Sequence, residues 1–455
     1  MPNDNLRSAE LFARNRRVIP GGVVSLNRLV QPEIAFVKGR GSRVWDADGR
    51  EYIDYHGAFA PYILGHNDPD VNAAVRRALD DDLTLMGSGT NPWEGRLAEL
   101  IVEHVPSVEK VQLTSTGSEA TYHAIRLARA YTGRDGVVVM QGGYNGWHND
   151  VAVNLMTPLD KLGPRVSPGE YPLVPISAGI PAGVLENVHV VNFNDTASIK
   201  HVFERHAIAA VLLEPILQNI GVVKPREGYL AELRRLCDEA GVVLIFDEVK
   251  TGFRHALGGY QSICGVMPDL CVFGKAVANG YPLGVIGGRA EIMDYFIHPD
   301  ETKRVLIAGT YNAHPLPTVA AIATVEKLAA DGGAVYRHLE RLGAMMQEGL
   351  EEIFREAGVT ATVSRQGSAF CVYFMDHAPV DWHDLAEHHP FAVDSEYRRR
   401  LIREGVYHFP APTKQGSISF AHSEEDVAQT LAVTRRVVRA MKDEGFFRTA
   451  EGRTA

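Results

Sequence analysis

The sequence predicts an α/β chain: a large domain on a doubly wound, mostly parallel sheet, and a smaller α+β domain. Three observations carry this. Between about residues 70 and 290, short apolar runs alternate repeatedly with amphipathic stretches. Most of the apolar runs lack polar alternation, as suits strands covered on both faces by helices. The segments on either side differ in character, with a hairpin signal in front and long helical periods interrupted by strands behind.

In chain order, residues 6–18 read as a helix with Leu11, Phe12 and Val18 as apolar contacts, stopped by Pro20-Gly21-Gly22. Residues 33–55 alternate, and Asp48-Gly49 between Val44-Trp45 and Tyr52-Ile53 marks a hairpin. Strands of the large domain are expected at 110–114, 136–141, 188–192, 209–214, 242–247 and 269–273, with helices such as 118–131 and 228–240 between them. Residues 156–186, rich in Pro, Gly and Ser, read as a long loop, either functional or a variable surface segment. Residues 317–357 form one long helix or two; strands near 360–375 and helices near 394–404 and 424–442 follow. The expected division is an N-terminal arm and hairpin segment over 1–66 that joins the small domain, a large domain over 67–316, and a C-terminal small domain over 317–455.

A net charge of −10 excludes the basic field that nucleic-acid binders carry. No apolar run is long enough to span a bilayer, and residues 1–22 lack the apolar core of a secretory signal. Neither nucleic acid nor membrane is an expected partner, and a cytoplasmic location is expected. Cys237, Cys264, Cys271 and Cys371 form no CxxC pair, which points to a reduced compartment; Cys237 and Cys371 lie in apolar stretches and read as buried small hydrophobes. His383, Glu387, His388 and His389 carry metal-ligand side chains but read as one solvated segment, so no metal is expected. No G-x-G-x-x-G follows the first strand, which argues against a nicotinamide site.

Four features carry chemistry. Thr114-Ser115-Thr116-Gly117-Ser118-Glu119 follows a strand and opens a helix. Backbone N–H groups at such a start, with small hydroxyls, make an anion site of phosphate size, although an ordinary N-cap gives the same pattern. The 242–247 strand ends in Asp247-Glu248, at the carboxyl edge where open α/β sheets bind ligands. A buried Asp there needs a cation, and a protonated ring nitrogen would serve. Glu248 faces the other way on an extended chain and is expected in a structural ion pair, with Arg254 as a candidate partner. Gly274-Lys275 follows another apolar strand, where desolvation lowers a lysine pKa and frees a nucleophilic amine. The spacing 275 − 247 = 28 leaves room for one crossover and one strand, so both groups fall on one sheet edge. Finally, Tyr144 in Gly142-Gly143-Tyr144-Asn145-Gly146-Trp147-His148 can lie flat on a ligand ring. A phosphate cradle, a stacking aromatic, a counter-charge for a ring nitrogen and an amine are together the inventory for pyridoxal 5′-phosphate (PLP).

At these residues the chain resembles class III aminotransferases of PLP fold type I, and within them the glutamate-1-semialdehyde aminomutase branch. The matching stretches include Val44-Trp45-Asp46-Ala47-Asp48-Gly49, 115–129, Glu214-Pro215, Phe246-Asp247-Glu248-Val249, Thr251-Gly252-Phe253-Arg254, 268–275, Gly309-Thr310 and 421–426. The resemblance implies that Lys275 carries PLP as a Schiff base and later moves a proton, while Asp247 pairs with the pyridine nitrogen. It implies Ser115, Thr116, Gly117 and Ser118 at the phosphate, Tyr144 on one ring face, Val249 on the other, and Glu214 beside the cofactor. Thr310 would reach the phosphate of a neighbouring subunit, so a homodimer with shared active sites is implied. Arg28 and Phe59 are implied at the substrate; the planar guanidinium fork of Arg28 suits a carboxylate. The implied reaction moves an amino group between a carboxylate-bearing amine or amino acid and a keto acid or aldehyde, with the branch's own intramolecular exchange as the alternative. The chain departs from that branch at Tyr144-Asn145-Gly146-Trp147, where Tyr-His-Gly-His is usual, at Asn312-Ala313-His314-Pro315, at Pro412-Thr413-Lys414-Gln415, and over 156–186, which acts there as a gate.

Overall fold

The Asp48-Gly49 pair closes the predicted hairpin: β2 (Arg43–Asp46) and β3 (Glu51–Asp54) pair antiparallel, with β1 (Phe36–Arg40) on the other side of β2. The Asp46 carboxylate fixes the turn by accepting from the N–H groups of Asp48 and Arg50 and from the Tyr52 hydroxyl. The computed structural model describes residues 6–82 and 89–447. It separates into a smaller unit of Met1–Asp68, His338–Ala378 and His389–Ala455, and a larger one of Pro69–Arg337 and Pro379–His388. The first helix, Leu6–Arg16, stops short of Val18, which is 80% exposed and is not the apolar contact expected.

In the larger unit, the mostly apolar runs become strands buried along their whole length, β5 (Gly136–Met140), β6 (Val188–Val191), β7 (Ile208–Leu213), β8 (Val243–Asp247) and β9 (Leu270–Phe273), while β4 (Lys110–Thr114) is more polar and exposed at its start. The sheet order is β4-β10-β9-β8-β7-β5-β6, parallel except for β10 (Gly284–Gly288), which runs antiparallel between β4 and β9. Sequence pattern missed β10 because three of its five residues are glycine, a poor strand former. The glycines are required by close approach: a Cβ at Gly284 would lie 2.2 Å from the Thr116 carbonyl oxygen, and one at Gly288 2.4 Å from that of Asp269. The helix Gly117–Thr132 starts with a Thr116/Glu119 capping box and ends at a left-handed Gly133. Its Ala120, Ala124, Ile125, Leu127 and Ala128 pack with Val139, Leu212, Ile245 and Val272 in the main core.

The 317–357 region is two helices, Pro315–Ala329 and Ala334–Ala357, separated where Gly332 and Gly333 take positive φ. The first packs on the helices Pro69–Asp80 and Pro92–His104 and so belongs to the larger unit, not to the C-terminal domain expected from residue 317. The larger unit also takes in the helix Trp382–His388. The histidines there are not one solvated face. His383 is buried, 3.2 Å from the Asn192 side-chain oxygen, and only His388 is exposed. In the smaller unit, His389 is buried against Asp394 at 3.1 Å.

The remainder of the smaller unit is an antiparallel sheet β11-β12-β14 (Thr362–Gln366, Ala369–Tyr373, Gly416–Ser417) and β13 (Val406–Tyr407), which joins β3 in parallel. The helices Phe391–Arg403 and Glu424–Asp443 complete the expected α+β character. Cys237, Cys271 and Cys371 are buried, Cys264 partly so, and all four are free. Among the described residues no helix is long and apolar enough to cross a membrane.

Candidate active site

Because β4, β5, β7, β8 and β9 run in the same direction, their carboxyl ends share one edge of the sheet. The segments leaving that edge carry residues 115–118, Tyr144, Glu214, Asp247 and Lys275. β8 and β9 are neighbours, with Asp247 opposite Val272, three residues before Lys275.

Asp247 is 3% exposed. Its Oδ1 accepts from the Val249 N–H at 3.0 Å and its Oδ2 from the Asn145 side-chain amide at 2.8 Å. Burial pushes its carboxyl pKa up, against the pull of those hydrogen bonds and of the Lys275 charge. Lys275 answers in kind: burial lowers its amine pKa, while the charges of Asp247 and Glu214 oppose that. Its backbone is left-handed, φ 48°, a conformation that costs a side-chain-bearing residue about 1–3 kcal/mol and tends to mark functional sites. Glu214 is buried too, and burial raises its pKa to about 7, opposed by Lys250 and reinforced by Asp247. Its two oxygens accept from the N–H groups of Tyr144 (3.0 Å) and Gln218 (2.9 Å), so it fixes the backbone that carries Tyr144. Tyr144 is half-buried; burial first, then the Asp247 charge, raises its phenol pKa, against a pull from the nearby Ser118 side chain.

The helix start beside them carries the donors that an anion site needs. The Glu119 carboxylate takes the N–H groups of Ser115 and Thr116, at 2.8 and 3.2 Å, and Thr116 Oγ1 takes that of Glu119 at 3.2 Å. The N–H groups of Gly117 and Ser118 donate to no acceptor among the described residues, at the positive end of a 16-residue helix. The space in front is kept open by glycines. A Cβ at Gly117 would sit 2.8 Å from Val249 Cγ2, and one at Gly146 (φ 127°) 3.0 Å from Ser118 Oγ. Val249 also lies against Gly274, 3.3 Å from where its Cβ would be.

Nine of the sequence-predicted residues, Ser115, Thr116, Gly117, Ser118, Tyr144, Glu214, Asp247, Val249 and Lys275, therefore leave one sheet edge in the larger unit. Thr310 belongs to the same unit and is exposed. Arg28 and Phe59 belong to the smaller unit. Arg28 is exposed in a short turn, Leu26–Arg28. Phe59 packs on His56 and Phe409, with ring centroids at 4.4 and 4.9 Å. It sits in a left-handed run, Gly57 to Ala60, with φ of 50, 52, 69 and 76°, strained for every residue but the glycine. Glu248 is not in the ion pair expected of it. Its carboxylate is held by hydrogen bonds from the Tyr260 N–H (2.6 Å), Gln261 Nε2 (3.1 Å) and the Thr251 hydroxyl (2.9 Å). Sequence reasoning missed Asn145, although it adjoins Tyr144, and Lys250, whose Nζ meets the Gln218 carbonyl at 2.9 Å.

The set fits PLP. A phosphate matches the two spare N–H groups, a ring-nitrogen cation matches a buried carboxylate whose pKa burial has raised, and a half-buried amine of lowered pKa is available for a carbonyl carbon.

Comparison with known proteins agrees with this geometry. The family model described as aminotransferase class-III matches residues 25–420. The chain is 38% identical over 440 residues to the glutamate-1-semialdehyde 2,1-aminomutase of Syntrophus aciditrophicus, covering 95% of this chain and 98% of that protein. It is similar to the solved structure of an omega-transaminase from Sphaerobacter thermophilus, with a TM-score of 0.88, 33% identity and coverage of 96% and 98% of the two chains. It is also similar to that of a transaminase with PLP bound, at a TM-score of 0.84, 29% identity and coverage of 97% and 99%.

Proposed function

Because the chain belongs to the class III aminotransferases, we propose that it moves an amino group within a small carboxylate-bearing amino substrate. PLP is its cofactor, its fold is that of PLP fold type I, and amines or amino acids with keto acids are the substrates of its family. The single observation that carries amino-group chemistry is the Lys275 amine, lowered in pKa by burial, one strand over from the buried carboxylate of Asp247.

When bound, PLP supplies the electron sink that lets an amino group leave one carbon and join another. The chain's own residues do the rest. Lys275, with its pKa lowered, can take a proton from a substrate carbon and return it. Asp247 stabilises a cation at the ring nitrogen. Gly117 and Ser118 bind the phosphate through their N–H groups, with the Ser115 and Thr116 turn behind them. Tyr144 and Val249 confine the ring on its two faces, and Glu214 holds the Tyr144 backbone. Thr310 serves the phosphate of a second copy in a cytoplasmic homodimer. Arg28 receives the substrate carboxylate, with Phe59 beside it.

Exchange within one molecule is supported by the aminomutase relative, and it has more support than the transfer between two molecules that the sequence first suggested. A second reading, transfer to a separate acceptor, is supported by the omega-transaminase likeness. Incubating the PLP-loaded enzyme with glutamate 1-semialdehyde alone separates them. Intramolecular exchange gives an isomeric product, with one nitrogen kept per molecule, over many turnovers, whereas a two-substrate transaminase, for which this aldehyde can itself accept the amino group, gives separate deaminated and diamino products. In the same assay Arg28→Ala raises KM by roughly tenfold to a hundredfold, the value of a charge-assisted bidentate contact; an unchanged KM removes Arg28 from the substrate.

A further inference from the structure

Glu170, His189 and His206 meet at the outer edge of the large sheet. His189 is on β6, the last strand in the sheet order; His206 follows the helix Thr196–Phe203; Glu170 lies in the 156–186 segment. The His189 Nδ1 is 2.6 Å from Glu170 Oε2, and the His206 Nε2 is 3.0 Å from Glu170 Oε1. The two imidazole centroids are 4.0 Å apart. One ligand atom from each residue can be chosen so that all three lie within 4.8 Å of one another. Side-chain exposure rises from 9% at His189 through 27% at Glu170 to 38% at His206, so the cluster is closed on the sheet side and open to water on the other.

We propose that these three side chains bind one divalent cation of the zinc class. Two imidazole nitrogens and a carboxylate are a zinc donor set, and three protein ligands leave a position for water. Each imidazole binds the cation as a neutral ring, through the nitrogen that faces the carboxylate, with its one proton on the other nitrogen. The ligands are preorganised. The Tyr171 N–H donates to the Val190 carbonyl at 3.0 Å and the Gly169 N–H to Ser198 Oγ at 3.0 Å, so the backbone on both sides of Glu170 is already held in place. Bound metal staples this part of the long segment to the edge strand β6, reinforcing the Tyr171 N–H to Val190 carbonyl bond that already covers that edge. Separations of 19 and 17 residues match no short metal motif, and for that reason the sequence pointed to no metal here.

The test uses chelator-treated, PLP-loaded enzyme. Calorimetric titration with zinc chloride should show one site per chain, and cobalt(II) should give a visible absorption band of nitrogen and oxygen coordination. Glu170→Gln and His206→Ala, both at solvent-facing side chains, should each weaken zinc binding by at least about tenfold and lose the cobalt band. Retained PLP absorbance in each variant shows that it has folded. Absence of a site in the unaltered chain, or wild-type affinity in either variant, overturns the assignment.

Discussion

Lys275 combines a left-handed backbone with an amine whose pKa burial lowers, and its charge interacts with two carboxylates, Asp247 and Glu214, whose pKa burial raises. Of these, Glu214 is the one poised near neutrality. Its folded pKa of about 7 stands above the ordinary 4.5, so its neutral form favours folding. That contribution is complete below pH 4.5 and is lost as pH rises through about 7, where the folded protein must ionise a buried acid. Over the same interval the new charge raises the Lys275 pKa and holds the amine protonated. An inflection in kcat/KM near pH 7 follows. Lys250 is the charge that most restrains Glu214, so Lys250→Met should move that inflection up by about one pH unit. An inflection that stays in place assigns it to another group. Asp247 and Lys275 were legible in sequence because each ends an apolar run, and the run alone fixes where the charged residue falls. Glu248 was not, because its hydrogen bonds come from residues 251–261 folding back over it, a tertiary fact that adjacency to Asp247 does not encode.

At the scale of elements, the 115–119 turn was legible as a helix start, since a capping box is written in local sequence. What sequence left open was whether its spare N–H groups face a ligand. The structure shows how closely neighbours approach that turn: a side chain at Gly117 would meet Val249, from beyond β8 three strands along the sheet, and one at Gly284 would meet Thr116, from beyond the adjoining β4. Close neighbours also explain why β10 was missed, as Gly284 makes room for the 115–119 turn, Gly287 for Val108 and Gly288 for Asp269. Gly117→Ala meets Val249 Cγ atoms at 2.8 and 2.9 Å. It should destabilise the chain by about 1–3 kcal/mol, more than alanine gains in helix propensity. Val249→Ala in the same chain removes the obstruction, so chemical denaturation of the two single variants and the double should show a favourable coupling. Additive effects would mean that the two side chains do not contend for this space.

At the scale of the whole molecule, sequence gave the order of elements better than their allegiance. Strand and helix periods are local, so most of the predicted elements were recovered within a few residues. Domain membership depends on which faces pack, and nothing in the Pro315–Ala329 sequence says that its neighbours are helices more than 200 residues earlier. The division bears on what PLP does for stability. Nine of the proposed cofactor-site residues leave one sheet edge of the larger unit, which has its own apolar core. A ligand held there at about a thousand times its Kd stabilises that unit by about 4 kcal/mol. Because separate cores open separately, this should be felt locally. On adding PLP to enzyme stripped with hydroxylamine, amide hydrogen exchange should slow by up to about a thousandfold at 115–121, 142–146, 247–251 and 274–279. The sheet β11-β12-β14 in the smaller unit should exchange at nearly its former rate. Equal slowing in both would show that the two units open as one cooperative block, and the stabilisation could then no longer be assigned to the residues around Asp247 and Lys275.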